Sequence, residues 1–151
     1  MSMNYIVADI NGVPIGKLDR EIDETLNDSD KTFTVPSDER WHIISIRISF
    51  IATGTVGNRR LKINIRDQSD NVLCDIRDLA DVAENGAVGI EMYQGIRPVA
   101  QGGRNFLPLP KPCVLREDWD IRIFDENAVD ASGDDLKVYI TCFKSKVRDK
   151  G

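Results

Sequence analysis

The sequence predicts an all-β fold, a two-sheet antiparallel β-sandwich of jelly-roll-like type with about eight strands. Three observations lead there. Apolar residues recur every second position through most of the chain, turn chemistry separates those runs at short intervals, and beyond residue 30 there is almost no helix signal, with room for one helical turn in the polar stretch 77–87. The pattern is clearest between Trp41 and Asp67. His42, Ile44, Ile46, Ile48, Phe50 and Ala52 share one parity, and Trp41, Ser45, Arg47, Ser49 and Thr53 the other. After the Gly/Asn-rich link 52–58, Leu61, Ile63 and Ile65 alternate with Arg60, Lys62, Asn64 and Arg66. The two runs are expected to be neighbouring strands of one sheet, with a dry face and a charged face.

Residues 1–30 have a different texture and are expected to form an N-terminal arm. Asn4 to Ile10 suits a short strand, Asn11-Gly12 a tight turn, and Pro14 demotes the return segment to an edge or loop. Leu18, Ile22 and Leu26 recur every four residues and predict two turns of a short helix. Residues 31–146 form the sandwich domain, and 147–151 a C-terminal tail. Within the domain, Phe33 and Val35, Val72 to Ile76, and Val88, Ile90 and Met92 mark further strands. The Gly- and Pro-containing stretch 95–112 is expected to cross between sheets. Trp119, Ile121 and Ile123 lead to the last strand, where Leu136, Val138, Ile140 and Cys142 face inward.

At 151 residues the chain suits a single domain whose core needs neither metal nor disulfide. No stretch has the ~20 consecutive apolar residues of a membrane span, and the first residues lack the pattern of a signal peptide, so the expectation is a soluble protein made in the cytoplasm. Three cysteines, Cys74, Cys113 and Cys142, each lie in an apolar run and read as reduced core thiols. With 20 Lys+Arg against 25 Asp+Glu, the net charge of −5 argues against sequence-independent nucleic-acid binding.

Reactive constellations are scarce. Any Ser-His-Asp or Cys-His site must use His42, the one histidine, which reads as a strand-end residue. The dispersed cysteines do not make a zinc site. The loop 125–135 offers five carboxylates, enough to raise calcium, but Val129 and Asp130 break the EF-hand pattern. No catalytic residue, metal ligand or cofactor is assigned. Two surface features remain: a basic face of Arg47, Arg60, Lys62 and Arg66, and the outward aromatics Tyr139 and Phe143 of the last strand. Together with Leu18, Ile22 and Leu26 of the arm they are the candidate interface residues, to be covered by the arm itself or by another subunit.

Several segments resemble small virion proteins of tailed bacteriophages: Thr32-Phe33-Thr34-Val35-Pro36, Arg40 to Ile46, Ala52 to Leu61, Ile121 to Asp125 and Val129 to Leu136. The resemblance covers roughly residues 32 to 143 and carries no catalytic residue. It implies a non-enzymatic virion structural protein of small β-sandwich type, as a capsid decoration or cement protein or else a head-tail connector or tail component. The implied partners are further copies of itself, as a homo-oligomer, and other virion proteins such as the major capsid protein, with no nucleic acid and no membrane. The implied location is the virion, after synthesis in the host cytoplasm. A carbohydrate-binding jelly-roll module, with Trp41 and Trp119 as aromatic platforms, is the alternative from another class.

Overall fold

The structure is a computed structural model and describes residues 5–8 and 14–147. The Asn11-Gly12 turn and the tail beyond Val147 lie outside the described residues. The elements are β1 Tyr5–Ala8, β2 Pro14–Asp23, β3 Asp30–Thr34, β4 Glu39–Ile51, β5 Leu61–Arg66, β6 Val72–Arg77, β7 Ala87–Gln94, β8 Val99–Gln101, β9 Arg104–Leu109, β10 Val114–Leu115, β11 Asp120–Asp125 and β12 Asp135–Lys146. They form a large sheet of order β1-β2-β12-β4-β7-β9-β8, with β10 also paired to β4, and a small sheet of order β3-β11-β5-β6. From β2 to β7, and again from β11 to β12, the chain visits the sheets in the order large, small, large, small, small, large, small, large. That is the path of an eight-stranded jelly roll, with β8, β9 and β10 inserted before the seventh strand and β1 added ahead of the first.

The expected N-terminal helix is not formed: the segment bearing Leu18 and Ile22 is strand β2, paired antiparallel with β12 from Asp23↔Val138 to Lys17↔Lys144. A spacing of four is also a multiple of two, so it aligns residues on a strand face as readily as on a helix face. Asp19, Glu21 and Asp23 alternate between the apolar positions, which the two-residue period explains and the helical one does not. Pro14 sits at the first residue of β2, where a missing N–H is tolerated, and the return segment is an interior strand between β1 and β12.

The core lies between the sheets. Leu136, Val138, Ile140 and Cys142 of β12, Ile46, Ile48 and Phe50 of β4, and Ile90 and Met92 of β7 meet Phe33, Leu61, Ile63, Ile65, Ile121 and Ile123 from the small sheet. The inward sets expected for β5, β7, β11 and β12 are the observed ones.

Strand β4 departs from expectation at its start. Trp41 is buried at 3% exposure and Ile43 wholly, whereas Ile44 is 44% exposed and His42 is also exposed. The register explains it: Thr141 pairs with Ser45 but Cys142 pairs with Ile43, so Ile44 is an extra residue opposite β12. Such a bulge reverses the parity of everything before it. At the same point β4 changes its other neighbour, from β7, which ends its pairing at Ser45, to β10, which pairs with Trp41 and His42.

Two further expectations are corrected. β4 and β5 are not neighbours but belong to different sheets, because the link 52–58 crosses between layers. The stretch 95–112 does not cross; it forms β8 and β9 within the large sheet, joined by Gly102 and Gly103 at φ of 62° and 78°, the backbone of a two-residue hairpin turn.

Deleting Ile44 leaves every other pair between β4 and β12 in place. The variant is expected to fold at a cost below the ~2–5 kcal/mol of Ile46→Ala, measured by urea unfolding; a larger loss than Ile46→Ala contradicts the bulge.

Candidate interaction surface

Directly opposed residues on adjacent strands share a face, so the register defines the outer face of the large sheet. Crossing from β2 to β9, the rows are Ile22, Tyr139, Arg47, Glu91 and Phe106, then Arg20, Thr141, Ser45, Tyr93 and Pro108. Leu18, Phe143 and His42 continue this face toward one end. Arg47 stands over the Tyr139 ring at 5.9 Å from its centroid. Arg104 reaches Glu91 at 3.3 Å, and the Tyr93 hydroxyl donates to the same carboxylate at 3.4 Å. Burial raises the pKa of both Tyr139 and Tyr93, with the carboxylates of Glu24 and Glu91 acting in the same sense. Among the described residues Arg47 has no ion-pair partner, and no described element lies over this face.

Phe143 folds its ring across Gly16 of β2. A Cβ on that glycine would stand 2.4 Å from the ring and 2.7 Å from the Lys144 carbonyl oxygen, so only glycine fits. On the opposite side of β2, facing inward, Lys144 bridges Glu21 and Asp19, and the wholly buried Lys31 ammonium of β3 lies 3.4 Å from Asp23. Burial works against the Lys144 charge, but Glu21 and Asp19 hold its pKa above the ordinary lysine value.

The candidate interface residues are thus divided. Leu18, Ile22, Arg47, Tyr139 and Phe143 share the outer face of the large sheet. The segment expected as an arm lies edge to edge with β12 rather than over this face. Leu26 is beyond the end of β2 and 55% exposed. Lys62 and Arg66 belong to β5 of the small sheet and Arg60 directly precedes it, whereas Arg47 is on the large sheet, so the expected basic face does not exist as a unit, and each of the three has acidic partners. Arg66 makes a two-pronged pair with Asp120 at 2.7 and 2.9 Å, which raises its pKa. Lys62 meets Asp75 at 3.1 Å and Glu126 at 3.6 Å. Arg60 donates to the Asp78 carbonyl and to Asp81. Sequence reasoning missed Tyr93 and Phe106 on the large face; carrying the parity of Glu91 outward along β7 finds Tyr93, but Phe106 follows only from the parallel pairing of β7 with β9.

His42 lies at the surface with its Nε2 3.4 Å from the Gln94 amide nitrogen; the bulge places it outward rather than inward. Neither tryptophan is an exposed platform. Trp41 is buried, donates to Glu39 at 2.9 Å and has the Lys144 ammonium 4.9 Å from its ring centroid. Trp119 packs partly buried against the core and donates to Gln68. The thiols of Cys113 and Cys142 are pushed up to about 12 by burial, which suits packing groups rather than nucleophiles.

The acidic loop before β12 is held by protein donors. Asp134 receives Arg59 Nε at 2.9 Å and the Thr53 amide at 2.8 Å, and both the Arg59 and Asp134 side chains are wholly buried. The Asp134 bonds raise the Arg59 pKa, and two more Arg59 bonds run to the carbonyls of Thr55 and Gly57. Asp130 accepts from the hydroxyls of Thr53 and Thr55, which lowers its pKa. Asp125 accepts three backbone amides, those of Arg60, Asn127 and Val129. Two of the carboxylates that raised calcium, Asp130 and Asp134, therefore clamp the crossing link 52–58 through Thr53 and Thr55. Among the described residues no cluster of metal-ligating side chains is assembled.

No protein-family model matches the sequence, and no curated protein matches it. Solved structures that align with the chain include viral shells. Infectious bursal disease virus, Gx strain, aligns over 99% of this chain and 42% of its own at 6% identity and a TM-score of 0.35. Nora virus aligns over 90% of this chain and 59% of its own at 8% identity and 0.35. The Bacillus endospore appendages, which form disulfide-linked pili, align over 96% of this chain and 100% of their own at 8% identity and 0.28. The chain thus spans about half the length of the two viral proteins. Scores of this size leave both fold and role to be argued from the chain itself.

Two outcomes test the electrostatics. Asp134→Ala strands the buried Arg59 charge and is expected to cost about 3–5 kcal/mol in urea unfolding, while Arg59→Met with Asp134→Leu recovers at least half of that. Asp78 is buried, has one oxygen without a partner, and has its pKa raised by burial. A carboxyl raised in the folded state contributes its full stability below the unfolded pKa of about 4 and loses it as pH rises through the folded value. Asp78→Asn removes that loss, so its Tm advantage over the parent is expected to grow from pH 4 to pH 7.

Proposed function

We propose that the protein is a non-enzymatic structural component of a viral particle, most simply a decoration or cement protein that lies on the capsid and stabilises subunit contacts. The observation that carries this reading is the outer face of the large sheet. It presents Tyr139, Phe143, Tyr93 and Phe106 around Arg47, Glu91 and Arg104, with no described element over it. Aromatic residues with arginine are enriched where proteins meet. Cations on this face, within a chain of net charge −5, favour an acidic, partly apolar patch on the shell protein as the surface it meets. The resemblance of residues 32–143 to small tailed-phage virion proteins supports the same reading. A head-tail connector or tail role uses the same face and differs in where on the particle the protein sits. A protein of this kind acts in many copies, so each contact can be modest and still hold through repetition.

The test is association with particles. Mass-spectrometric inventory of purified virions is expected to contain the protein, and added protein is expected to co-sediment with particles stripped of it. Arg47→Glu and Tyr139→Asp, both on the outer face, are expected to weaken co-sedimentation about tenfold or more with an unchanged melting curve. Absence from virions, or face variants that bind as the parent does, overturns the reading; immunogold position then separates capsid from connector and tail.

A further inference from the structure

We infer that the free edge of β6 is a twofold interface, where the small sheets of two copies join edge to edge into one sheet of double width. β6 is the outermost strand of the small sheet and is paired on one side only, to β5. Unpaired strand edges are usually blunted by charge, proline or a covering segment. The opposite edge, β3, fits that rule: it carries Asp30 and Lys31, and Arg122 of β11 grips Asp30 with two bonds at 2.9 and 2.6 Å. β6 carries charges of both signs, Asp75 and Arg77, and a register shift against β5 between Cys74 and Val72, but no proline, and the apolar Leu73 within it and Leu79 just beyond it are 51% and 37% exposed.

The backbone restricts how two such edges can meet. The Asp78 amide donates inward to the Leu61 carbonyl of β5. Strand groups alternate in direction, so the amides and carbonyls of Asp75 and Arg77 point away from β5, toward an added strand. An antiparallel twofold pairing must match outward-pointing residues with one another. A centre at Asp75 sets that carboxylate against its own copy, which is repulsive, and a centre at Cys74 sets Leu73 against Asp75. A centre at Ile76 sets Asp75 against Arg77 twice and brings Leu73 toward Leu79 of the second copy. Charge and apolar surface are complementary in that register alone. Asp75 and Arg77 both lie on the outer face beside Lys62 and Asn64, and their present partners, Lys62 and Glu126, hold them at the surface. The contact is isologous, so it closes at two copies, and it uses the strand-addition mode of recognition. It is independent of whether the protein is carried on a particle.

Charge reversal on the full chain tests it, with light scattering and sedimentation as readouts. The parent is expected to dimerise. Asp75→Arg sets arginine against arginine and Arg77→Asp sets aspartate against aspartate, and each alone is expected to weaken dimerisation about tenfold or more. Mixing the two variants restores both pairs and is expected to return a heterodimer of parental affinity, as is the double variant on its own. Leu73→Lys, which charges the edge without touching the ion pairs, is expected to abolish dimerisation while the melting curve shows that the fold is intact. A parent that stays monomeric up to its solubility limit overturns the proposal. So does a dimer indifferent to Leu73→Lys, or single variants that are not rescued on mixing.

Discussion

Everything in this molecule depends on giving each sheet one dry face, and the strand that meets the greatest difficulty in doing so is β4. At thirteen residues it is the longest strand, and its sequence holds apolar residues of both parities at one end: Trp41 and Ile43 on one, Ile44 and Ile46 on the other. A regular strand buries one set and exposes the other. The bulge at Ile44 lets Trp41 and Ile43 join Ile46, Ile48 and Phe50 on the inside, and it costs the exposure of a single isoleucine. Because the bulge falls where β7 gives way to β10 as neighbour, the ladder is interrupted only where it changes partners in any case.

The ends of the sandwich are closed by a different kind of interaction. The link 52–58 and the loop 125–135 meet around Arg59, whose guanidinium is satisfied by Asp134 and two backbone carbonyls. A buried ion pair contributes little net stability, but removing one partner is severe. Its value here is positional: it fixes the one connection that must cross from the fourth strand to the fifth, and so fixes which face of β5 turns inward.

The period-two signal made much of this legible from sequence. β3, β5, β7, β11 and β12 bury the residues their parity assigns, since none of them carries an extra residue of its own within the buried stretch and their neighbours impose one dry face. The signal failed where two periods coincide or where parity is broken. Leu18 and Ile22 satisfy both a helical and an extended spacing, and only pairing with β12 decides between them. A bulge is invisible to parity, since it is defined by the partner strand. The basic face dissolved because residues adjacent in sequence, on β4 and β5, enter different layers, and the hairpin of β8 and β9 was hidden behind prolines that read as a crossing. Arg59 sits in a link with no periodicity, so nothing in the sequence distinguishes it from its exposed neighbour Arg60.

The two outer faces then divide the surface chemistry between them. On the small sheet, Lys62, Arg66, Arg77 and Arg122 are matched by Asp30, Asp75, Asp120 and Glu126, so its charges are satisfied within one copy, and Asp75 and Arg77 meet a second copy only where the β6 edges join. What remains open there is backbone, at the β6 edge. On the large sheet the relation differs, because among the described residues Arg47 has no ion-pair partner, while the strands beneath it are paired on both sides. Contact through the edge of one sheet therefore does not compete with contact through the face of the other. A twofold pair joined at β6 carries two copies of the Arg47 face, and two weak contacts held on one body bind a repeating surface far more tightly than either does alone.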